Sequence, residues 1–266
     1  MTGTRIISAA FVAGLLIAAV LWLPPAWSAL ALSLVLLGAG WEWSAFVAQR
    51  IAPRLAFMLV LAMLCMLWWQ LSSTRTGLRA VLWAALAYWV FMTGWVVANR
   101  RATRTLIAVS GVFAVSFAWL ALVRMRIDWQ HGQLAVMYAL LIVWLADSGA
   151  YFAGRRWGGA KLAPAISPGK TWAGMWGGFA VCAVLAVATS LSRGLPWLAL
   201  LVVTLVVTAF SVVGDLNESL AKRYAGVKDS GNLIPGHGGL LDRFDSLLAA
   251  APVLMLGIEL VPELRG

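Results

Sequence analysis

Residues 196–213 read Pro-Trp-Leu-Ala-Leu-Leu-Val-Val-Thr-Leu-Val-Val-Thr-Ala-Phe-Ser-Val-Val, a charge-free run that ends just before Asp215. A helix of about 20 apolar residues crosses the hydrocarbon layer of a membrane, so this run predicts a transmembrane helix. Comparable runs recur near residues 6–23, 27–47, 55–71, 78–98, 105–124, 132–153, 171–191 and 246–262. The pattern predicts an all-α fold, a polytopic membrane helix bundle of about nine transmembrane helices, with eight as the alternative count.

The composition agrees with a membrane protein, since 62% of the 266 residues are hydrophobic and only 11% are charged. Arg5 precedes the first apolar run as in a signal peptide, but eight more runs follow, which favours a first membrane span. Cys65 and Cys182 lie inside predicted spans without a CxxC pair, so they indicate neither a disulfide framework nor a thiolate zinc site. The sequence shows no internal repeat or low-complexity linker, and we expect one integral-membrane domain over residues 1–266.

The distribution of cations predicts the orientation, because positively charged loops stay on the cytoplasmic side during insertion. With nine spans and a cytoplasmic N-terminus, most basic residues face the cytoplasm: Arg5, Arg50, Arg54, Arg100, Arg101, Arg104, Arg155, Arg156, Lys161, Lys170, Lys222, Arg223, Lys228 and Arg243. The other side keeps Arg75, Arg79, Arg124, Arg126, Arg193 and Arg265. The bias predicts cytoplasmic polar segments near residues 154–170 and 214–245. Anionic lipid headgroups then explain the net charge of +10 better than nucleic acid does.

Charged residues concentrate in and around these two segments. Five of the ten acidic residues lie in the second one: Asp215, Glu218, Asp229, Asp242 and Asp245. All four lysines lie in the two segments, whereas every other cation is an arginine: Lys161, Lys170, Lys222 and Lys228. A compact ammonium group binds phosphate as a point charge, so this skew indicates phosphate binding.

The first polar segment follows Asp147, which closes the sixth apolar run. A lipid-facing carboxylate is costly there, so we expect Asp147 to face a cavity or to form a salt bridge with Arg155 or Arg156. Gly169-Lys170-Thr171 resembles the end of a P-loop, but that pattern requires glycine where Pro164 stands. We expect instead a shaped loop that ends at a helix N-terminus, where free N–H groups can bind an anion.

Helical spacing organises the second polar segment. Four polar residues fall at i, i+3, i+4 and i+7 on one face of a continuing helix: Asp215, Glu218, Ser219 and Lys222. Asp242 and Asp245 lie three residues apart near the last span, after a glycine-rich loop over 226–239. Clustered carboxylates repel one another unless a cation holds them, and Mg²⁺ uses carboxylates together with phosphate oxygens. The segment therefore predicts a Mg²⁺-phosphate site, with a solvated loop of paired charges as the alternative.

A longer pattern carries a family resemblance. Ser219-Leu-Ala-Lys222-Arg223, Lys228-Asp229-Ser-Gly231 and Ile234-Pro235-Gly-His237-Gly238-Gly239-Leu-Leu-Asp242-Arg243-Phe-Asp245 together resemble the signature of phosphatidate cytidylyltransferases, also called CDP-diacylglycerol synthases. Residues 147–172 resemble the family's other polar segment, although Ala173 stands where an acidic or amide residue is expected. The resemblance implies a single catalytic domain that transfers the cytidylyl group of CTP to phosphatidic acid, with Mg²⁺ and a second metal of unknown identity.

The resemblance also implies roles for residues at matching positions. Metal binding falls to Asp215, Asp242 and Asp245, and phosphate contacts to Lys222 and Arg223, with Ser219 donating a hydrogen bond. The expected substrate-binding residues are Lys161, Lys170, Lys228, His237 and Arg243, and His237 serves either in chemistry or in shaping the loop.

Other readings remain open at this stage. A CTP-dependent polyprenol kinase needs a similar site, and an ion-coupled transporter also uses intramembrane carboxylates. Glu42, between two tryptophans, either lines a lipid entry or pairs with a nearby arginine. The resemblance leads us to expect a bacterial-type cytoplasmic membrane, whereas acyl-chain preference, the lipid path and a homodimer stay undecided.

Overall fold

The computed structural model describes residues 14–98, 100–231, 233 and 238–265. Residues 14–22 are helical, and eight further helices follow: α1 Pro25–Val47, α2 Ile51–Leu71, α3 Arg75–Val97, α4 Arg104–Asp128, α5 Gly132–Trp157, α6 Trp172–Arg193, α7 Trp197–Ala225 and α8 Asp245–Leu260. A two-stranded hairpin joins α5 to α6, with β1 at Lys161–Ala163 and β2 at Ser167–Thr171. Single 3-10 turns, Leu241–Arg243 and Pro262–Arg265, flank α8.

The helices confirm a polytopic membrane bundle. Within the described residues, seven helices, α1–α7, are long and apolar enough to cross a membrane. The last predicted run forms α8, whose 16 residues span about 24 Å at 1.5 Å per residue. The first predicted run begins outside the described residues, at 6–13. Of the nine predicted spans, the described residues therefore show seven as full-length helices and an eighth as the shorter α8.

The helix ends follow local chemistry. Thr74, Thr103 and Thr171 each accept the backbone N–H three residues later, which caps the starts of α3, α4 and α6. Gly194 and Gly226 adopt left-handed conformations, with φ of 66° and 70°, and end α6 and α7. The turns that the site depends on are thus specified by single residues.

The hairpin is the departure from the all-α prediction. β1 and β2 are antiparallel, with Lys161 opposite Thr171 and Ala163 opposite Ser167. The predicted loop does end at the start of a helix, because β2 leads directly into the Thr171 cap of α6. Pairing satisfies backbone groups that an open loop would leave to water, and it holds Lys170 against the bundle.

Two kinds of packing position the site. Helices α4 and α8 occupy the interior, and α8 lies along α7. Helices α5 and α6 approach through glycines: a Cβ at Gly149 would come 2.8 Å from the carbonyl oxygen of Gly177, and one at Gly178 would come 2.8 Å from that of Ala146. This close contact of α5 and α6 forms one wall of the cavity described below.

Candidate active site

A cavity of about 590 Å³ lies between α5, α6, α7 and the hairpin. Four charged residues line it, Asp147 and Arg155 from α5, Lys170 from β2 and Asp215 from α7. Apolar residues such as Met175 and Val212 also form part of its wall. The cavity therefore combines a charged region with a surface suited to hydrocarbon.

Lys170 and Asp215 form the central contact of this cavity. Lys170 Nζ lies 2.5 Å from Asp215 Oδ2, and both side chains are about a quarter exposed. Ser219, one turn along α7, donates its hydroxyl to Asp215 Oδ1 at 3.2 Å. Two polar segments that are far apart in sequence thus meet at one carboxylate.

Lys222 joins the next pair of carboxylates. Its Nζ donates to Glu218 Oε2 at 2.6 Å and to Asp242 Oδ1 at 2.8 Å. Glu218 is fully buried, so its charge depends on this partner. The structure thus contains the polar face of α7 that the spacing predicted, and Asp242 contacts Lys222 on this face from the turn before α8.

Asp242 is held on both oxygens. Its Oδ2 accepts the N–H groups of Ser230 and Gly239 at 3.0 and 2.8 Å, and the Ser230 hydroxyl at 3.1 Å. Burial opposes the charge of this carboxyl, but the hydrogen bonds from Lys222, Ser230 and Gly239 outweigh burial and hold the pKa of Asp242 below its ordinary value. Asp242 therefore stays ionised and fixes the loop beside Lys222.

Asp245 reaches the same region because α7 and α8 touch at Gly214. A Cβ at Gly214 would lie 2.6 Å from the carbonyl oxygen of Asp245, so only glycine permits this approach. The buried Glu218 Oε1 has no hydrogen-bond partner among the described residues. The close approach brings the start of α8, with Asp245, beside the part of α7 that carries Asp215 and Glu218.

This carboxylate group fits a hard divalent cation in its donor chemistry. All the available ligand atoms are carboxylate oxygens, the type that Mg²⁺ prefers, and Glu218 supplies a buried oxygen without a partner. In the part of the chain that the structure describes, no three such side chains already converge as a ligand set. Lys170 and Lys222 occupy the space between the carboxylates.

The remaining predicted residues lie around this centre. Arg223 is exposed and donates from Nε to the carbonyl of Ile166 in the hairpin turn at 3.2 Å. Lys161 and Lys228 are exposed, and Arg243 is exposed on the turn before α8. His237 lies outside the described residues. Among the predicted substrate-binding residues that the structure describes, only Lys170 lines the cavity.

Two acidic residues complement the site residues that the resemblance supplied. Asp147 lines the cavity, whereas Arg155 donates to the Tyr151 hydroxyl at 3.0 Å, so the structure favours the cavity-facing alternative. Glu218 carried a signal in the sequence, since it shares the helical face of Asp215 and Lys222. Its burial, which makes it dependent on Lys222, becomes visible only in the structure.

The comparisons with known proteins agree with this architecture. The model of the cytidylyltransferase family matches residues 3–261. The phosphatidate cytidylyltransferase of Haemophilus influenzae is 34% identical over 95% of this chain and 96% of its own length. That of Pseudomonas aeruginosa is 37% identical over 83% of each chain, and that of Bacillus subtilis is 49% identical over 47% of each. Because the family model covers nearly the whole sequence, this chain belongs to the cytidylyltransferase family.

Proposed function

We propose that this chain transfers the cytidylyl group of CTP to phosphatidic acid, forming CDP-diacylglycerol and pyrophosphate in phospholipid biosynthesis. The observation that carries the proposal is the cavity in which Lys170 and Asp215 meet beside an apolar wall. Such a cavity can place a charged nucleotide next to the headgroup of a lipid. The named activity of the similar bacterial proteins supports the same reaction.

The proposed setting is a bacterial-type cytoplasmic membrane, with the site facing the cytoplasm. The excess of basic residues on the predicted cytoplasmic side supports this orientation. We propose nine spans in a single catalytic domain, with the N-terminus in the cytoplasm and α8, extended by its flanking turns, as the last span. CTP is a cytoplasmic nucleotide, so this orientation gives the enzyme access to it.

The proposed cofactor is Mg²⁺, which Asp215, Asp242 and Asp245 would hold. When bound, Mg²⁺ neutralises phosphate charge and stabilises the transition state of phosphoryl-type transfer. The unpaired oxygen of Glu218 adds a fourth carboxylate to this region.

The chain's own residues then have distinct tasks. A phosphomonoester is largely ionised near neutral pH because its second pKa is about 6, so the attacking oxygen needs little help from a base. The obstacle is repulsion between two anions, which fixed ammonium groups lower. We assign this task to Lys170 and Lys222, with Ser219 orienting Asp215 and Arg223 holding the hairpin against α7.

The outer cations form a second, weaker group of substrate contacts: Lys161, Lys228, Arg243 and His237. Lys161 and Lys228 are exposed, as expected for side chains that meet a nucleotide only when it binds. A compact charge on a flexible stem suits that use.

In the deciding experiment, protein purified in detergent is supplied with CTP, Mg²⁺ and phosphatidic acid. Lipid-linked cytidine and pyrophosphate are then both measured. We expect both products in equal amounts. In a parallel reaction with a polyprenol in place of phosphatidic acid, formation of CDP and a phosphorylated polyprenol without pyrophosphate would instead identify a lipid kinase. Solute flux in vesicles without CTP consumption would identify a transporter, and either result would refute the proposal.

A further inference from the structure

Glu42 of α1 is buried, only 3% exposed, and is far in sequence from the residues that line the cavity. Its Oε2 accepts the Ser230 hydroxyl at 2.9 Å and the Leu241 N–H at 2.8 Å. Arg54, a nearby arginine, donates instead to Ser44 and to the Trp41 carbonyl. Glu42 thus holds both ends of the loop between α7 and α8.

The loop is built to receive this carboxylate. A Cβ at Gly231 would collide with Glu42 Oε1, and one at Gly239 would collide with Glu42 Oε2 and with Ser230 Oγ. Glycine at both positions therefore lets the loop backbone lie directly on the Glu42 carboxyl group. Glu42 Oε1 is buried without a hydrogen-bond partner among the described residues.

The same contacts lead to the charged centre. Ser230 donates both its N–H and its hydroxyl to Asp242 Oδ2, and Asp242 Oδ1 accepts from Lys222. One hydroxyl, that of Ser230, lies within hydrogen-bond distance of both Glu42 and Asp242. Loss of the Glu42 contacts would therefore free the loop, and the freed loop would no longer hold Asp242. Lys222, which donates to Asp242, would then lose its position.

We propose that Glu42 is a positioning residue of the active site, which sets Asp242 and Lys222 by clamping the loop at Ser230 and Leu241. This role rests on the cytidylyl transfer proposed above. A carboxylate oxygen is needed only as a hydrogen-bond acceptor, so a glutamine amide oxygen in the place of Oε2 accepts the same two donors. The glutamine NH₂ then takes the place of Oε1, where the carboxylate itself has no partner.

The test compares Glu42→Ala and Glu42→Gln with Ser44→Ala as the matched control. Ser44 is a buried polar residue on the same helix, and its contacts are with Trp41 and Arg54 rather than with the loop. We expect Glu42→Ala to lose about 100-fold in kcat, as a small misplacement of reacting groups does. KM for CTP should change far less. Glu42→Gln should stay within about tenfold of the wild type, and Ser44→Ala should match it.

Limited trypsin digestion supplies a readout that does not depend on activity. Lys228 and Arg243 flank the loop, so cleavage after them should be faster in Glu42→Ala than in Glu42→Gln, while the melting temperatures of the bundle stay close. A Glu42→Gln variant as inactive as Glu42→Ala, or loss of activity without faster cleavage, would overturn the proposal. If the wild type lacks transferase activity, the proposed function fails, and unequal cleavage still shows whether Glu42 clamps the loop.

Discussion

Replacing Lys222 with methionine removes a cation from between two carboxylates. The ammonium group lies 2.6 Å from Glu218 and 2.8 Å from Asp242, and the Glu218 side chain is fully buried. At an effective dielectric constant of about 20, each contact corresponds to about 6 kcal/mol of Coulomb attraction. Desolvation offsets much of this, and loss of one partner of a buried pair costs about 3–5 kcal/mol in measured cases.

We therefore expect Lys222→Met to lower the free energy of unfolding by about 3 kcal/mol. The assay is unfolding in mixed detergent micelles, followed by fluorescence of the many tryptophans. Lys228→Met provides the control, because it removes a lysine from the same polar segment at an exposed position and should change stability by less than about 0.5 kcal/mol.

A second substitution tests whether the loss of stability in Lys222→Met comes from the lost attraction or from the unpaired, buried charge of Glu218. Glu218→Gln in the Lys222→Met background removes the buried negative charge that lost its partner, so the double variant should regain most of the stability. Transferase activity should not return, because Lys222 is the proposed phosphate contact. An unchanged unfolding curve for Lys222→Met, or a double variant no more stable than the single one, would refute this account of the cluster.

Three further predictions concern the same region. Asp215→Asn should lower transferase activity by about 100-fold or more, whereas Asp128→Asn, in an ion pair elsewhere on the chain, should leave it intact; lipid-linked cytidine measures both. Gly214→Ala should destabilise the protein by about 1–3 kcal/mol and reduce activity, because its Cβ collides with the start of α8. Gly94→Ala, whose added Cβ would meet no atom within 4 Å, should not change the stability in the same detergent unfolding assay. Arg223→Ala should release the hairpin and raise KM for CTP with kcat less affected, and steady-state kinetics would contradict this if KM stayed constant.

Much of the fold could be predicted from the sequence because membrane spans depend on local composition. The runs that became α1–α7 are apolar over the thickness of a bilayer, and helix caps such as Thr171 depend on one side chain. The hairpin was not predicted, since a three-residue strand such as β1 carries almost no periodic signal. The last predicted run, 246–262, nearly coincides with α8 at Asp245–Leu260, because this run too depends on local composition.

The candidate site, like the fold, was predicted only in part from the sequence. The shared face of Asp215, Ser219 and Lys222 follows from helical geometry within one helix, so sequence spacing was enough. The contact of Lys170 with Asp215 joins residues of two different elements, and only tertiary packing decides it. Glu42 was visible as a carboxylate in an apolar run, but its partners lie 188 and 199 positions away. No local pattern could have identified them.

The glycine contact between α5 and α6 also affects how the protein can move. Because backbone atoms of the two helices approach closely at Gly149, Gly177 and Gly178, sliding one helix along the other would bring backbone atoms into collision. We expect α5 and α6 to behave as one rigid body. Any widening of the cavity that admits a lipid headgroup must then come from displacement of α7 or the hairpin, where the walls consist of side chains.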